Sequence, residues 1–395
     1  MTSTCGRGWL LALGITIACS TTRAAEVPVW FGTYTNAKTG SEGVYVSRFD
    51  TVTGALAPPV LAAAARNPSF LAFHPRLPVV YAVADVPGPD GKPVGGVAAF
   101  TIDEATSRLA PLGSQPSGGG GPCHVAVDSE GRVVLAANYG GGSVICVGLD
   151  DAGRPRPVVA EGERRGFLQH TFDRAGTPGI DPRRQEKPHA HSVDVSRDGR
   201  FVVVCDLGVD QVFVHALDTR SATIAPHTAA RAKAGAGPRH FAWHPGGRFA
   251  YAVNELDLTV TGFDYDAAKG TLTPIETLST LPADAGDRTG FTAAEIAVHP
   301  TGKFLYASTR GHDSIAIYAI DPTTGRLTFR AAEPVRGRIP RHFAIAPGGA
   351  FLLAAGQDSG TVAVFAIDQQ TGDLTFTGTS IEVPAPVCVA FKPSP

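Results

Sequence analysis

Four side chains suited to proton transfer and anion binding stand at the ends of short apolar segments: His191, Arg239, Glu255 and Arg310. Histidine can move a proton near neutral pH, and a permanently charged guanidinium can hold a carboxylate, a phosphate or a developing oxyanion. Glu255 could act as a base, although two arginines beside it would lower its pKa and favour the charged carboxylate. Each residue alone could equally form a structural salt bridge or a hydrogen bond at a strand end. Only a shared face of the fold would make the four a site.

The elements that must position these residues form a repeat. An apolar segment, a turn and a second apolar segment recur seven times, beginning at Phe70, His124, His191, His240, Glu295, His342 and Cys388. The apolar pattern has a period of two and is punctuated by Gly, Pro and Asp, which favours strands over helices. Complete copies continue into a third strand and a weaker fourth. Four strands in a repeat of about 46 to 67 residues predict an all-β fold, a seven-bladed β-propeller of four-stranded blades.

One copy of the repeat is divided between the two ends of the chain. The copy that begins at Cys388 stops at the C-terminus, where its second strand should start. The segments VPVWFGTYTN from Val27 and GVYVSRFD ending at Asp50 supply the missing pattern. A blade shared in this way closes the ring and protects the edges of the sheets. We therefore predict a single propeller domain over residues 27–395.

The copies differ from one another mainly at one end of the blade. Because the second strand returns antiparallel to the first, the start of the first strand and the end of the second lie together. The column at the end of the second strand is polar and changes from blade to blade, whereas flanking columns repeat Ala, Val, Phe and Gly. The residues of this polar column are Asp85, Tyr139, Asp206, Glu255, Arg310 and Gln357. Such a column favours a ligand site built from several blades over strand ends that merely meet solvent. The polar column and the residues at the starts of the first strands together predict the residues that bind substrate. These are Tyr139, His189, Asp206, Arg341 and Gln357.

Histidines elsewhere in the repeat suggest less. His189 and His191 are two apart on a strand and could bind a metal, but no third ligand has a matching spacing, so we predict no metal and no other cofactor. The histidines at the turn between first and second strands lie at the opposite end of the blade and are predicted to be turn residues: His74, His244 and His299.

The longest insertion runs from about Asp151 to Pro188 and leads directly into His189. It is rich in Arg and Gly and lies at the same end of the blade as the polar column. We expect it to form a lid or a wall over the site, the alternative being a plain surface loop.

Composition excludes some classes of partner. The 395 residues are 43% apolar and 18% charged, which allows a large core, and the net charge of −2 gives no reason to expect nucleic acid or an anionic membrane surface. After an N-terminal segment is removed, four cysteines remain without a CxxC pair or zinc spacing, and we predict free thiols: Cys123, Cys146, Cys205 and Cys388. The sequence leaves the oligomeric state open.

The first residues have the form of a secretory signal peptide. Arg7 precedes an apolar run from Trp9 to about Ala18, and small residues follow up to Ala24. We predict cleavage after Ala24, no integral membrane span in the mature chain, and export to the periplasm or the extracellular space. Lipid attachment at Cys19 is less favoured because Thr16 makes a poor lipoprotein signal.

Several segments resemble a known family. The sequences GAGPRHFAWHPGGRFAYAVNEL, KPHAHSVDVSRDGRF, PTGKFLYASTRG and FLLAAGQDSGTVAVF are similar to those of the seven-bladed propeller lactonases, the 6-phosphogluconolactonase family that also includes fungal carboxymuconate cyclases. The resemblance covers nearly the whole mature chain and independently implies seven blades.

The resemblance also implies catalytic residues. In the fungal branch a His, two Arg and a Glu are implicated, and by motif they correspond to His191 in PHAHS, Arg239 in GPRH, Glu255 in NEL and, as the weakest match, Arg310. These are the four residues that the repeat singles out. The implied reaction is hydrolysis of a sugar lactone, with His191 or Glu255 as base, Arg239 at the oxyanion and Arg310 at an acidic group of the substrate.

The substrate stays open at this point. An exported protein would not meet a phosphorylated intermediate of cytosolic carbohydrate metabolism, so an unphosphorylated lactone or a carboxylated ring compound is a reasonable expectation. Two alternatives to a hydrolase remain: a carboxymuconate-type lactonizing cycloisomerase that shares the Arg and Glu residues, and a propeller that binds or scaffolds without catalysis.

Overall fold

The computed structural model describes residues 1–2, 26–35, 38–157, 166–171 and 181–393. The predicted signal-peptide cleavage after Ala24 lies outside these ranges. Within them, every regular element is a β-strand. No helix among the described residues is long and apolar enough to cross a membrane.

The strands are described in chain order. The first fifteen are β1 (Glu26–Thr33), β2 (Gly43–Asp50), β3 (Val60–Ala64), β4 (Arg66–Phe73), β5 (Val79–Pro87), β6 (Pro93–Ile102), β7 (Leu109–Pro116), β8 (Pro122–Val127), β9 (Val133–Asn138), β10 (Ser143–Gly148), β11 (Phe167–Gln169), β12 (Ala190–Val195), β13 (Phe201–Asp206), β14 (Gln211–Asp218) and β15 (Thr223–Arg231). The others are β16 (Pro238–Trp243), β17 (Phe249–Asn254), β18 (Thr259–Asp266), β19 (Thr271–Ser279), β20 (Thr292–Val298), β21 (Phe304–Arg310), β22 (Ser314–Ile320), β23 (Leu327–Pro334), β24 (Pro340–Ile345), β25 (Phe351–Gly356), β26 (Thr361–Ile367), β27 (Leu374–Glu382) and β28 (Pro386–Phe391).

These strands form seven antiparallel sheets of four strands each, which confirms the predicted propeller. The sheet with the order β28-β1-β2-β3 joins the two ends of the chain, so the predicted shared blade is confirmed as well. The first strand of each blade contacts the first strand of the next in a closed ring around the axis. All seven strand starts therefore meet at one mouth of the axial channel.

The hydrophobic core lies between neighbouring blades. Each blade buries both faces, and clusters of Val, Ile, Phe and Tyr fill the space between adjacent sheets. Tyrosines on second strands reach across this space, as when the Tyr251 hydroxyl donates to the Gly325 carbonyl at 2.9 Å and Tyr306 donates to Gly372 at 2.8 Å. The pattern of apolar residues in the sequence thus corresponds to packing of blade against blade.

The turn histidines link neighbouring blades at the opposite end from the polar column. The Nε2 atoms of His74, His244 and His299 hydrogen-bond to the carbonyl oxygens of Gly131, Gly302 and Gly349 at 3.1, 3.0 and 2.8 Å. Gly131 has a φ of +65°, and a Cβ there would lie 2.3 Å from the His74 ring, so this close approach requires glycine. Their predicted role as turn residues is confirmed.

Candidate active site

A cavity of about 520 Å³ opens at the mouth where first strands begin and second strands end. Its lining comes from several blades: Tyr34, Asn67, Ser69, Ala84, Asp85, Gly95, Gly121, Pro122, Cys123, Tyr139, Arg184, His191, Glu255, Arg310 and Arg341. Three of the four residues predicted as catalytic line this cavity, and the fourth, Arg239, lies directly beneath it as a partner of Glu255.

A backbone irregularity at the start of the innermost strands places the cavity residues. In four blades the register between first and second strand shifts at one residue, which faces no single partner across the ladder: Cys123, His191, Arg239 and Arg341. A bulge of this kind re-aims a side chain that regular alternation would direct elsewhere. The same local distortion, repeated in these blades, therefore directs four different side chains toward one mouth.

Glu255 is the centre of the charged network. It follows β17 directly, and its Oε2 accepts a hydrogen bond from Nε of Arg239 at 3.0 Å and lies 3.1 Å from Nη2 of Arg310. Its Oε1 accepts from Nη2 of Arg184 at 2.5 Å. Only about 2% of the surface of Glu255 is exposed. A single buried carboxylate thus holds three guanidiniums together.

The charges shift the pKa values of this network. Burial alone would raise the pKa of Glu255, but Arg310, Arg239 and Arg184 together lower it to about 2. Burial and the positive charges of Arg310 and Arg341 lower the pKa of Arg239 to about 9. Glu255 is therefore ionised throughout the physiological range, and the surrounding arginines outnumber it.

His191 contributes an uncharged imidazole to the cavity. Burial, with the positive charge of Arg239 and the neighbouring His240, holds the pKa of His191 well below its usual range. Its Nε2 lies 3.9 Å from Oε2 of Glu255, which is too long for a hydrogen bond. The thiol of Cys123 donates to the backbone oxygen of His191 at 3.2 Å and fixes this bulge from the neighbouring blade. The imidazole is therefore uncharged at neutral pH and available to accept a proton.

Arg184 is a cavity residue that the strand pattern did not reveal. It lies in residues 181–188, the last described part of the long insertion, and also donates to the Tyr139 hydroxyl at 3.3 Å. The next residue anchors this segment, because the side-chain amide of Gln185 donates to the Leu207 carbonyl and to Asp210, both at 2.7 Å. The described end of the insertion thus supplies part of the predicted wall. The sequence offered one signal for Arg184, its place in an arginine-rich insertion predicted to form a wall. The repeat spacing gave no sign that Arg184 would contact Glu255.

The residues predicted to bind substrate occupy different places. Tyr139 and Arg341 line the cavity. His189 is buried behind Tyr139, with ring centroids 4.4 Å apart. Asp206 is fully buried and accepts from Nδ1 of His170 at 2.6 Å, so it supports the chain rather than the cavity surface. Gln357 lines a neighbouring cavity.

One wall of the cavity is built around Asn67, which the strand pattern also missed. Asn67 has a φ of +51° and accepts from the backbone N–H of Thr35 at 3.0 Å, while its amide donates to Asp85 at 3.2 Å. A non-glycine residue in this conformation is uncommon and is often found at functional positions. The bond from Thr35 ties the sheet that contains β1 to the sheet that contains β4 beside the cavity, and the bond to Asp85 joins β4 to β5 within one sheet.

The axis beneath the cavity is filled by a second set of polar side chains. Oε2 of Glu295 lies 2.9 Å from Nδ1 of His240 and 3.1 Å from Nε2 of His342. His240 in turn packs edge-on against His191, with ring centroids 5.2 Å apart. These residues form the floor on which the cavity rests.

The described part of the chain contains no group of three or more His, Cys, Asp or Glu residues placed to hold a metal ion. Its four cysteines are unpaired, as predicted: Cys123, Cys146, Cys205 and Cys388. The charged and titratable groups that line the cavity thus include the guanidiniums of Arg184, Arg310 and Arg341, the carboxylates of Glu255 and Asp85, and the imidazole of His191.

Comparisons with known proteins agree with this architecture. Residues 28–391 match the family described as lactonase, 7-bladed beta-propeller. A protein named 6-phosphogluconolactonase from Bacillus subtilis is 34% identical over 368 residues, which cover 92% of this chain and 97% of that protein. A protein of the same name from Formosa agariphila is 32% identical over 321 residues, or 80% of this chain and 85% of that one.

A solved structure is also similar. The periplasmic gluconolactonase of Pseudomonas aeruginosa superposes with a TM-score of 0.83 at 31% identity, and the match covers 94% of this chain and 100% of that one. Both the sequence and the fold are thus shared over nearly the whole length. This chain belongs to the seven-bladed β-propeller lactonase family.

Proposed function

We propose that this protein hydrolyses the ring ester of a sugar lactone to the open-chain acid. The observation that supports this most directly is a cavity in which a neutral histidine, His191, stands beside guanidiniums held in place by a buried carboxylate. Membership of the lactonase family and the names of the relatives point to the same reaction. The proposed substrate is an aldonolactone, a compact ring with one ester carbonyl and several hydroxyl groups.

His191 is assigned the role of general base in preference to Glu255. Both carboxylate oxygens of Glu255 are engaged by arginines, Oε1 by Arg184 and Oε2 by Arg239 and Arg310, so neither oxygen is free to accept a proton from water. His191 is uncharged at neutral pH, and Glu255 does not engage its Nε2. The imidazole accepts a proton as water adds to the ring carbonyl. It then returns the proton to the ring oxygen when the carbon–oxygen bond breaks.

Arg310 is assigned the role of stabilising the oxyanion of the tetrahedral intermediate. Arg239 is only 2% exposed and does not line the cavity, and its Nε and Nη1 donate to Glu255 at 3.0 Å and to the Ala294 carbonyl at 2.6 Å. Arg310 lines the cavity, and its buried Nε has no hydrogen-bond partner among the described residues. A donor left in this state is suited to negative charge that develops only during the reaction. In this assignment Arg239 holds Glu255 in position, and Glu255 in turn orients the guanidinium of Arg310.

The direct test is a panel of aldonolactones offered to the purified mature protein, with acid release followed by a pH indicator and corrected for spontaneous opening. We expect hydrolysis that Arg310→Gln lowers by about 10²- to 10³-fold, the usual effect of removing one oxyanion donor. The exposed Arg248→Gln serves as a matched control, because Arg248 pairs with Asp264 at the protein surface. Absence of hydrolysis across the panel, or full activity in Arg310→Gln, would contradict the proposal. Isomerisation of a carboxylated muconate without lactone hydrolysis would favour the cycloisomerase.

We further propose that residues 1–24 are removed and that the mature domain, residues 27–395, acts outside the cytoplasm. The N-terminal pattern supports this, as does a structural relative that is named a periplasmic enzyme. Fractionation of cells that express the full-length chain tests it. A mature N-terminus near Ala25 in the periplasm or medium is expected, and an intact precursor in the soluble cytosol would contradict it.

A further inference from the structure

A second cavity adjoins the candidate active site on the same face of the ring. Its volume is about 750 Å³, and it shares Tyr34 and Asn67 with the first cavity. The rest of its lining is mostly polar and includes Thr35, Arg338, Gln357, Asp358 and Ser359. The two cavities are therefore neighbouring compartments that meet at Tyr34 and Asn67.

One strained loop contributes to both compartments. Arg336 and Ile339 have φ values of +58° and +55°, in the left-handed region that a β-branched residue such as isoleucine rarely adopts. The backbone N–H of Ile339 is held by Asp313 at 2.8 Å, and that of Arg338 by the Ser359 hydroxyl at 3.0 Å. This conformation presents Arg341 to the first cavity and Arg338 to the second. Such strain is typical of functional sites, where the surrounding contacts maintain it.

The second cavity has hydrogen-bonding capacity that the protein itself does not use. Oε1 of Gln357 is buried and has no hydrogen-bond partner among the described residues. Its amide nitrogen donates to Asp358 at 3.2 Å. Arg338 forms no side-chain ion pair within the described part of the chain. A buried carbonyl oxygen, a carboxylate and a guanidinium together match a ligand whose groups both donate and accept, as sugar hydroxyls do.

The wall between the two cavities is held in place by contacts on both of its sides. The guanidinium of Arg341 lies 5.4 Å from the centre of the Tyr34 ring, and Thr35 and Asn67 exchange hydrogen bonds with the backbone of each other. Because these contacts hold the wall in place, a ligand must cross it rather than displace it. A second ring joined to the first by one glycosidic bond has this shape.

We propose that the second cavity binds a sugar residue attached glycosidically to the sugar acid, so that the substrates are lactones of disaccharide acids. This rests on the proposed lactone hydrolysis. The lactone ring lies in the first cavity, beside His191 and Arg310, and the attached sugar lies against Gln357 and Arg338. Hydrolysis itself is unchanged, since the glycosidic bond is not broken.

The test compares lactobionolactone, a galactosyl-substituted gluconolactone, with glucono-δ-lactone. We expect kcat/KM to be at least about tenfold higher for the disaccharide lactone, a difference that one or two hydrogen bonds can supply. Gln357→Ala and Arg338→Gln should lower kcat/KM for lactobionolactone more than for glucono-δ-lactone and so remove this preference. Arg336→Gln is the matched control, because Arg336 lies in the same loop but pairs with Glu333 at 3.0 Å and lines neither cavity.

A binding measurement separates this inference from the hydrolysis proposal. Calorimetry with the product acids should show tighter binding of lactobionate than of gluconate, and Gln357→Ala should abolish the difference. Equal kcat/KM for the two lactones, or equal losses in Arg336→Gln and Arg338→Gln, would overturn the inference while leaving hydrolysis intact. Selective binding of lactobionate without hydrolysis of either lactone would instead contradict the proposed hydrolysis and support the second binding site.

Discussion

Nη2 of Arg184 donates to Oε1 of Glu255 at 2.5 Å, although 71 residues separate the two along the chain. Arg184 is also the most exposed of the three arginines on this carboxylate, with 36% of its side chain accessible, against 12% for Arg310 and 2% for Arg239. The long insertion thereby completes a charged network that begins on the innermost strands.

This relationship predicts the effect of Arg184→Gln. Loss of one guanidinium should raise the pKa of Glu255 and loosen the orientation of Arg310, so kcat/KM for lactone hydrolysis should fall by about tenfold, or about 1.4 kcal/mol. Arg184→Lys should recover part of the loss, because the charge remains. The neighbouring Arg183→Gln is the control, since Arg183 is exposed and lies 3.6 Å from Asp181. Equal activity in the Arg184→Gln and Arg183→Gln variants would contradict the prediction.

His191→Asn should lower kcat by about 10²- to 10⁴-fold if the imidazole is the general base. The melting temperature distinguishes this from a folding defect, and His227→Asn, at an exposed histidine, should have wild-type activity. The pKa of His191 lies well below its usual 6.5, so protonation should reduce wild-type activity only at pH values well below 6.5. An acid limb centred near 6.5 in the pH–rate profile would indicate a different base.

Glu255 should make stability depend on pH in the acid range. Its pKa in the folded protein, about 2, is below its usual 4.5, so its contribution is fully present above pH 4.5 and is lost as the pH falls towards 2. The contribution is on the order of 3 kcal/mol. Chemical denaturation between pH 2 and 6 measures it, and Glu255→Gln should lack this part of the slope. Glu104→Gln, at an exposed carboxylate 3.8 Å from Lys392, should keep the full slope.

Ring closure by β28 should be essential for stability. Val387, Cys388 and Val389 are each no more than 2% exposed, and β28 pairs with β1 through Val29↔Phe391 and Gly32↔Cys388. Burial of each such side chain contributes about 1.5–3 kcal/mol, so deletion of residues 386–395 should remove a large part of a typical stability of about 5–15 kcal/mol. Loss of cooperative thermal unfolding is expected. A melting transition like that of the full chain would contradict this role of β28.

The repeat could be predicted from the sequence because the features that produce it lie close together along the chain. Alternation, turn residues and the missing half of the last copy lie in continuous stretches, as in the segment from His240 to Glu255. The comparison of copies also located one polar mouth, because each antiparallel hairpin brings its two ends together. Tyr139 and Arg341 reach the cavity as that rule requires.

The same rule was too coarse for individual side chains. His189 and Asp206 lie at the correct end of their strands but are held in the structure around the cavity: the backbone N–H of His189 donates to Asp206, and the His189 ring bonds to the Tyr139 carbonyl of the neighbouring sheet. The register shift directs His191 into the cavity instead. Gln357 directly follows the second strand β25, yet it lines the neighbouring cavity. A single column of the repeat therefore contains residues of both compartments and of the supporting structure.

The amino-acid sequence by itself determined the seven blades, the shared blade that closes them and the end of the ring where polar residues gather, since period-two burial and short turns act between neighbours in the chain. The tertiary structure alone decided that Glu255 holds three arginines, that Arg239 lies below the cavity while Arg310 lines it, and that Arg184 joins from the insertion. The reason is physical: the burial of a charge, and the pKa that follows from it, depend on every blade that surrounds it, and no segment of the chain contains that information.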